Sequence, residues 1–171
     1  DFGMDILPAN IDRLSIYAYP FMDARREQEQ YWRDIGTIDA YWTAHMDLLQ
    51  TEREFHLEDP RWPIRTYQEQ HAPARFFSEP GASSGTALNS IVSHGCVVCS
   101  SRVERSVLSP MVRVGADSTI CESILMNNVK VGRAVRLRRV IVDKDVAIPD
   151  GATVGLDPAF DRKRFKVTEA G

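Results

Sequence analysis

The sequence predicts a mainly β protein whose second half is a β-helix, and its repeat period is the reason. The segments Gly95–Met111, Val112–Asn128, Val129–Asp145 and the partial Val146–Asp157 align at a period of 17 residues. Their third place holds Val97, Val114, Val131 and Ile148, and their fourth holds Val98, Gly115, Gly132 and Pro149. The ninth place holds Val103, Ile120, Leu137 and Val154, and the pair Val107-Leu108 returns as Ile124-Leu125 and Ile141-Val142. A fixed period with apolar residues about every six marks a solenoid whose unit cannot bury a core alone. Such a unit is too short for a helix pair and suits three short strands and three corners. The expected shape is a triangular coil.

The segment before the solenoid reads differently. Asp1-Phe2-Gly3-Met4-Asp5-Ile6-Leu7-Pro8 has no initiator Met and resembles the middle of a domain, so the chain is expected to be the C-terminal portion of something longer. Leu14–Tyr19 alternates and is β-prone until Pro20, which predicts a strand. Met22–Gln30 is polar and charged and is expected to be an exposed loop or frayed helix. After Tyr31-Trp32-Arg33-Asp34-Ile35-Gly36 a helix is predicted. Thr37 is its cap, Asp39 sits in its first turn, and Ile38, Tyr41, Trp42, His45, Leu48 and Leu49 form one face.

From about residue 52 the composition changes. Pro60, Pro63, Pro73 and Pro80 and the run Gly81-Ala82-Ser83-Ser84-Gly85 predict a linker with extended pieces such as Ile64–Gln68. The expected division is therefore 1–52, a linker over 53–86, and the β-helix over 87–171. Asn89–Ser93 echoes Arg105–Ser109, so half a coil precedes the first full one, and a charged tail, Asp161–Lys166, follows the last.

Bulk composition removes several function classes. The chain is 43% apolar and 26% charged, ordinary for a globular protein. Residues 1–88 carry 8 Lys/Arg against 15 Asp/Glu, and residues 89–171 carry 13 against 9. The β-helix is thus mildly basic, far below the density of a nucleic-acid binder. No apolar run approaches the ~18 residues of a membrane span, and no signal peptide is expected. Three cysteines, an odd number, suit a reducing cytosol, so a cytoplasmic protein is expected.

Stacked coils bring equivalent places within roughly 4.8 Å of each other. Arg105, Glu122 and Arg139 are then expected to form a charge ladder, Arg133 to lie over Asp150, and Arg113 to lie over Lys130. The last pair either splays into solvent or holds an anion. The basic set Arg133, Arg136, Arg138, Arg139 and Lys144 falls within one coil, as a solvated face or an anion site.

Two other motifs carry potential chemistry. Asp34 precedes a small turn into a helix N-terminus, where backbone N–H groups favour anions. A carboxylate there is able to hold Mg²⁺ against a substrate phosphate, and equally able merely to pair with Arg33 or cap the turn. Cys96-Val97-Val98-Cys99 beside His94 has the form of half a zinc site. Cys121 lies at another place in the repeat, so small residues in the coil interior or at corners are the better reading. His94 invites comparison with the general base of hexapeptide acyltransferases, but only about four coils follow it and a loop histidine is the simpler account.

Four segments become specific when taken in order: Asp1–Pro8, Tyr31–Thr37, Trp62-Pro63-Ile64-Arg65-Thr66 and Leu137–Lys144. Together they resemble the C-terminal part of the bacterial ADP-glucose pyrophosphorylases (glucose-1-phosphate adenylyltransferases), over nearly the whole chain. The resemblance implies the last α/β segment of a Rossmann-like nucleotidyltransferase domain followed by a left-handed parallel β-helix of the hexapeptide type, assembled as a homotetramer. It implies ATP and glucose 1-phosphate as substrates, Mg²⁺ as cofactor, ADP-glucose for glycogen synthesis as product, and an anionic metabolite as activator. Asp34 falls on the family's second metal aspartate, Trp32 on an aromatic of the substrate site, and Lys144 on a basic position of the effector site. Many relatives read Gly-Gly-Cys where this chain has His94-Gly95-Cys96, a corner that bears on allosteric control. The family's glycine-rich loop, first metal aspartate and sugar-phosphate lysine have no counterpart in the 171 residues, so this chain alone is expected to be inert. The rival readings are another sugar-nucleotide pyrophosphorylase and a non-catalytic β-helix subunit.

Overall fold

The computed structural model describes residues 1–23, 28–52, 57, 59–61, 63–67 and 69–169. It divides into two compact units, Asp1–Trp32 and Arg33–Gly171.

In the first unit a π-helical turn over Phe2–Ile6 runs into a short helix, α1, at Leu7–Asn10. Asp1 starts it by accepting the Met4 amide at 2.9 Å, and Pro8 stands where a missing N–H costs nothing. The strand predicted over Leu14–Tyr19 is not formed. A strand exists only by pairing, and no ladder among the described residues includes this segment. The expected loop or frayed helix at Met22–Gln30 is instead an antiparallel hairpin, β1 (Met22–Asp23) against β2 (Gln28–Glu29), its tip lying outside the described residues. Phe2, Met4, Tyr17 and Tyr19 are all exposed.

The second unit opens with α2, Ile38–Asp47, capped as predicted by Thr37, whose hydroxyl accepts the Ala40 amide at 3.1 Å. Its most buried side chain is Met46, absent from the predicted face, while Ile38 stays exposed. Trp62 and Gln68 lie outside the described residues, and residues 63–67 belong to no strand or helix.

The solenoid is a three-sided prism of parallel strands. One face stacks β3 (Arg75–Phe77), β6 (Val97–Cys99), β9 (Arg113–Val114), β12 (Lys130–Val131) and β15 (Ala147–Ile148). The second stacks β4 (Thr86–Leu88), β7 (Arg102–Glu104), β10 (Thr119–Cys121), β13 (Arg136–Arg138) and β16 (Thr153–Val154). The third stacks β5 (Ile91–Val92), β8 (Val107–Leu108), β11 (Ile124–Leu125) and β14 (Ile141–Val142). Pairing starts at Arg75, earlier than the boundary at 87 that composition suggests, because the Pro- and Gly-rich stretch contributes β3 and the first residue of β4.

One register expectation is corrected. Val98, not Val97, pairs with Val114, and Val114 with Val131 and Val131 with Ile148. The corner from Val98 to Val103 is one residue shorter than that from Val114 to Ile120. Period-2 alternation then turns Val98 inward, fully buried, and leaves Val97 half-buried on the outer side. The other columns hold: Val103, Ile120 and Leu137 are buried on the second face, and Leu108, Leu125 and Val142 on the third.

Each corner turns through a residue in the left-handed region. Gly95, Met111, Asn128 and Asp145 form one such series, Ser100, Asp117, Ala134 and Gly151 a second, and Asn89, Arg105, Glu122 and Arg139 a third. Two columns of buried serines satisfy the corner amides. The Ser101 hydroxyl accepts the Ser118 N–H at 2.9 Å and donates to the Gly115 carbonyl, and Ser118 repeats this toward Val135 and Gly132. Ser106 and Ser123 likewise accept the Ser123 and Val140 amides at the next corner, but donate to the Glu104 and Cys121 carbonyls of their own coil. Without them each corner would bury an unpaired donor.

The charged tail contains a short helix, α3 (Pro158–Asp161), capped by Asp157. Asp161 is buried and accepts the Gly155 amide at 2.8 Å, closing the last coil.

Candidate functional site

Asp34 sits in the lead-in to α2. Its Oδ1 accepts the Gly36 amide at 2.9 Å, so the carboxylate caps the turn while remaining exposed. Arg33 pairs with Asp47 at 2.8 Å, tying the lead-in to the far end of the same helix. The carboxylate of Asp39 in the first turn accepts the Thr168 hydroxyl at 2.7 Å. Mg²⁺ usually binds through one or two carboxylates plus waters and substrate phosphates. An exposed carboxylate oriented by a backbone amide fits one such ligand. No group of three or more His, Cys, Asp or Glu suited to a metal occurs among the described residues. Trp32 ends the first unit with its indole exposed.

His94, Gly95 and Lys144 fall on one edge of the prism. The Met111 amide donates to His94, that of Asn128 to Pro110, and that of Asp145 to Asn127. This places His94, Pro110, Asn127 and Lys144 in successive coils of a single column. Beside its first rungs lies an open groove of about 800 Å³, lined by Tyr67, His71, His94, Met111, Asn127 and Asn128 among others. The His94 ring stacks on His71 with centroids 5.0 Å apart, and His71 Nε2 lies 3.1 Å from Glu69. Gly95 turns the chain at φ +74°, its amide donating to Ala72; a Cβ there would stand 2.5 Å from the Met111 sulfur. A side chain there would have to displace the Met111 end, whereas the left-handed angle itself is also taken by Met111, Asn128 and Asp145 in later coils. Lys144 is exposed, with Asp143 at 3.8 Å.

The basic set does not form one patch. A coil travels right round the prism, so neighbours in sequence leave on different sides. The Arg133 guanidinium makes two hydrogen bonds to Glu79, at 2.7 and 2.9 Å, and holds that carboxyl below its usual range. The Arg133 amide, as expected, meets Asp150. Arg136 and Arg138 point out from the second face. Arg139 lies over the Trp42 ring at 5.0 Å rather than completing the charge ladder, in which Glu122 reaches Arg105 and Arg138 at 3.8 Å each. Arg113 does lie over Lys130.

Cys96 is fully buried, its thiol donating to the Ser109 carbonyl and its pKa pushed up by burial. It fills the coil interior in line with Val112 and Val129, while Cys99 is half-buried on the side opposite Val98. A protonated, inward thiol does not converge with its neighbour on a metal.

The features missed by sequence reading are the groove residues Tyr67, His71, Asn127 and Asn128, the Glu79–Arg133 pair, and the serine columns. Only the serines left a signal, since Ser101/Ser118 and Ser106/Ser123 recur at the coil period.

Comparison with known proteins places these two parts. The family described as GlmU-like, C-terminal hexapeptide matches residues 72–171. The chain belongs to this hexapeptide family. Residues 1–51 match a second family, the nucleotidyl transferases. Among curated relatives, a glucose-1-phosphate adenylyltransferase of Koribacter versatilis (strain Ellin345) is 47% identical over 172 residues, covering 100% of this chain and 41% of the relative. Proteins of the same name from Thiobacillus denitrificans and Methylobacillus flagellatus are each 44% identical over all of this chain, which covers 39% and 41% of their lengths. The chain thus spans about two-fifths of the relatives it matches. The resemblance drawn from its motifs is borne out. No helix among the described residues is long and apolar enough to cross a membrane.

Proposed function

We propose that the chain is the C-terminal part of a glucose-1-phosphate adenylyltransferase, which makes ADP-glucose and pyrophosphate from ATP and glucose 1-phosphate for glycogen synthesis. The observation that carries this reading is the union, in one 171-residue chain, of a nucleotidyl transferase end and a hexapeptide solenoid matching adenylyltransferases throughout. In the complete protein an oxygen of the sugar phosphate attacks the α-phosphorus of ATP in line. The bond from that phosphorus to the bridging oxygen breaks, and pyrophosphate leaves. Asp34 would hold part of a Mg²⁺ site, and the bound cation would supply charge neutralisation at the phosphates. Asp34 is suited to this because the Gly36 amide orients its carboxylate while solvent still reaches it. Trp32 borders the substrate site. Residues 1–52 are the end of the catalytic domain, the segment from 53 leads to the solenoid whose pairing begins at Arg75, and the whole works in the cytoplasm as a homotetramer.

The test is turnover by the full-length protein with nucleotide and sugar phosphate varied separately. ADP-glucose as the dominant product supports the reading; preference for another base or sugar replaces it with another sugar-nucleotide pyrophosphorylase. The 171-residue chain alone is expected to form none, and product from the purified fragment would overturn the division of labour.

The edge carrying His94, Gly95 and Lys144 is the effector side, and its ligand is an anionic metabolite of central carbon metabolism. Lys144 offers an exposed point charge there. In the full-length protein Lys144→Ala is expected to raise the activator concentration for half-maximal effect, with unactivated turnover little changed. The coupling at stake is about 1–3 kcal/mol. An activation curve superimposable on that of the wild type would remove Lys144 from the effector site.

A further inference from the structure

The helix that follows Asp34 meets the solenoid at Trp42. The Trp42 indole N–H donates to the Glu122 carbonyl at 2.7 Å, and the Arg139 guanidinium lies over the same ring. The corner leaves that carbonyl available for a physical reason. Its coil-to-coil ladder uses the carbonyl of the preceding residue: Leu88 accepts from Arg105, Glu104 from Glu122, and Cys121 from Arg139. The Glu122 carbonyl falls outside this ladder and is met by the indole. Glu122 and Arg139 are consecutive members of a left-handed corner series, so the coil stack fixes the spacing of both Trp42 contacts.

A helix of ten residues is marginal in isolation, so its position is set by what it packs against. Here the contact with the solenoid is the Trp42 indole, and one turn on Met46 is buried. At the other end the Arg33–Asp47 pair ties the Asp34 lead-in to the body of the helix. A shift of Trp42 therefore carries Asp34 with it.

We propose that Trp42 is a positioning residue: seated on the Glu122–Arg139 corner, it holds α2 so that Asp34 is presented at a fixed place relative to the solenoid. The proposal rests on the reading of Asp34 as a metal-holding carboxylate. Through this joint a change at the solenoid corner is transmitted to the catalytic carboxylate without passing through the linker.

The experiment uses the full-length protein carrying Trp42→Ala, Trp42→Phe or Asp34→Asn. Trp42→Ala is expected to lower kcat about tenfold and to raise the Mg²⁺ concentration for half-maximal rate, as misplacement of a reacting group does. Hydrogen exchange is the readout independent of turnover: amides 36–40, including the Gly36 amide that Asp34 accepts, are expected to exchange faster in Trp42→Ala. Trp42→Phe keeps an aromatic ring on the corner but loses the N–H donor and part of the ring area, so it is expected to fold and to show the same changes in smaller degree. Wild-type kcat, Mg²⁺ dependence and exchange in folded Trp42→Ala, or in Trp42→Phe if the alanine variant does not fold, would overturn the joint. Asp34→Asn separates the two readings. Its inactivity beside unaffected Trp42 variants refutes the joint alone, whereas full activity of Asp34→Asn refutes the metal reading and the joint with it.

Discussion

Replacing Asp34 by Asn in the full-length protein is expected to lower turnover by about 100-fold or more, with thermal unfolding close to that of the wild type. The carboxylate is exposed, so its charge contributes little to the fold. It accepts the Gly36 amide, a role that the Asn side-chain oxygen can keep. What the substitution removes is negative charge where a cation has to be held against substrate phosphates. The two effects are thus separable. Turnover and Mg²⁺ requirement equal to the wild type would leave Asp34 as a turn cap and nothing more. A large loss of stability would mean that the carboxylate serves the fold instead.

The solenoid was legible because its physics repeats. A column of stacked residues has to be apolar in each coil, so Val103, Ile120 and Leu137 announce themselves by recurrence. Where the repeat is imperfect, recurrence misleads. At the corner after Val98 the coil drops one residue, and an alignment without gaps puts Val97 where Val98 belongs. Period-2 alternation makes that single slip a change of face. The N-terminal unit was less legible for the opposite reason. Leu14–Tyr19 has the composition of a strand, but pairing depends on neighbours that sequence pattern does not name.

The site divides along the same line. Asp34 and Thr37 make their contacts within a few residues of themselves, and local pattern anticipates both as caps of the turn and the helix. Trp42 was read as part of a helix face, correctly as far as it goes. Its partners Glu122 and Arg139 are remote in sequence and leave no periodic signal together. The basic crowding of residues 133–144 failed most instructively. Proximity along a solenoid coil means separation around the prism, and Arg133, Arg138, Arg139 and Lys144 take four different partners: Glu79, Glu122, Trp42 and Asp143.

That geometry sets up the second large effect. Val131→Asp is expected to destabilise the solenoid by about 3 kcal/mol or more, through an unpaired carboxylate in an apolar interior. Val131 is 5% exposed, between Val114 in the coil before and Ile148 in the coil after, with no polar side chain in its own column. Flanking coils cannot part to admit water without losing the ladder bonds from Gly115 N–H to Val131 and from Gly132 N–H to Ile148. Lys130, one residue earlier on the same strand, faces outward over Arg113. Lys130→Asp replaces a like-charge neighbour by an opposite one and is expected to change stability by no more than about 0.5 kcal/mol. Chemical denaturation of the two variants checks this directly. Equal midpoints would mean that the strand does not alternate between core and solvent at this coil; a shift in Val131→Asp alone places the boundary between core and solvent between adjacent residues.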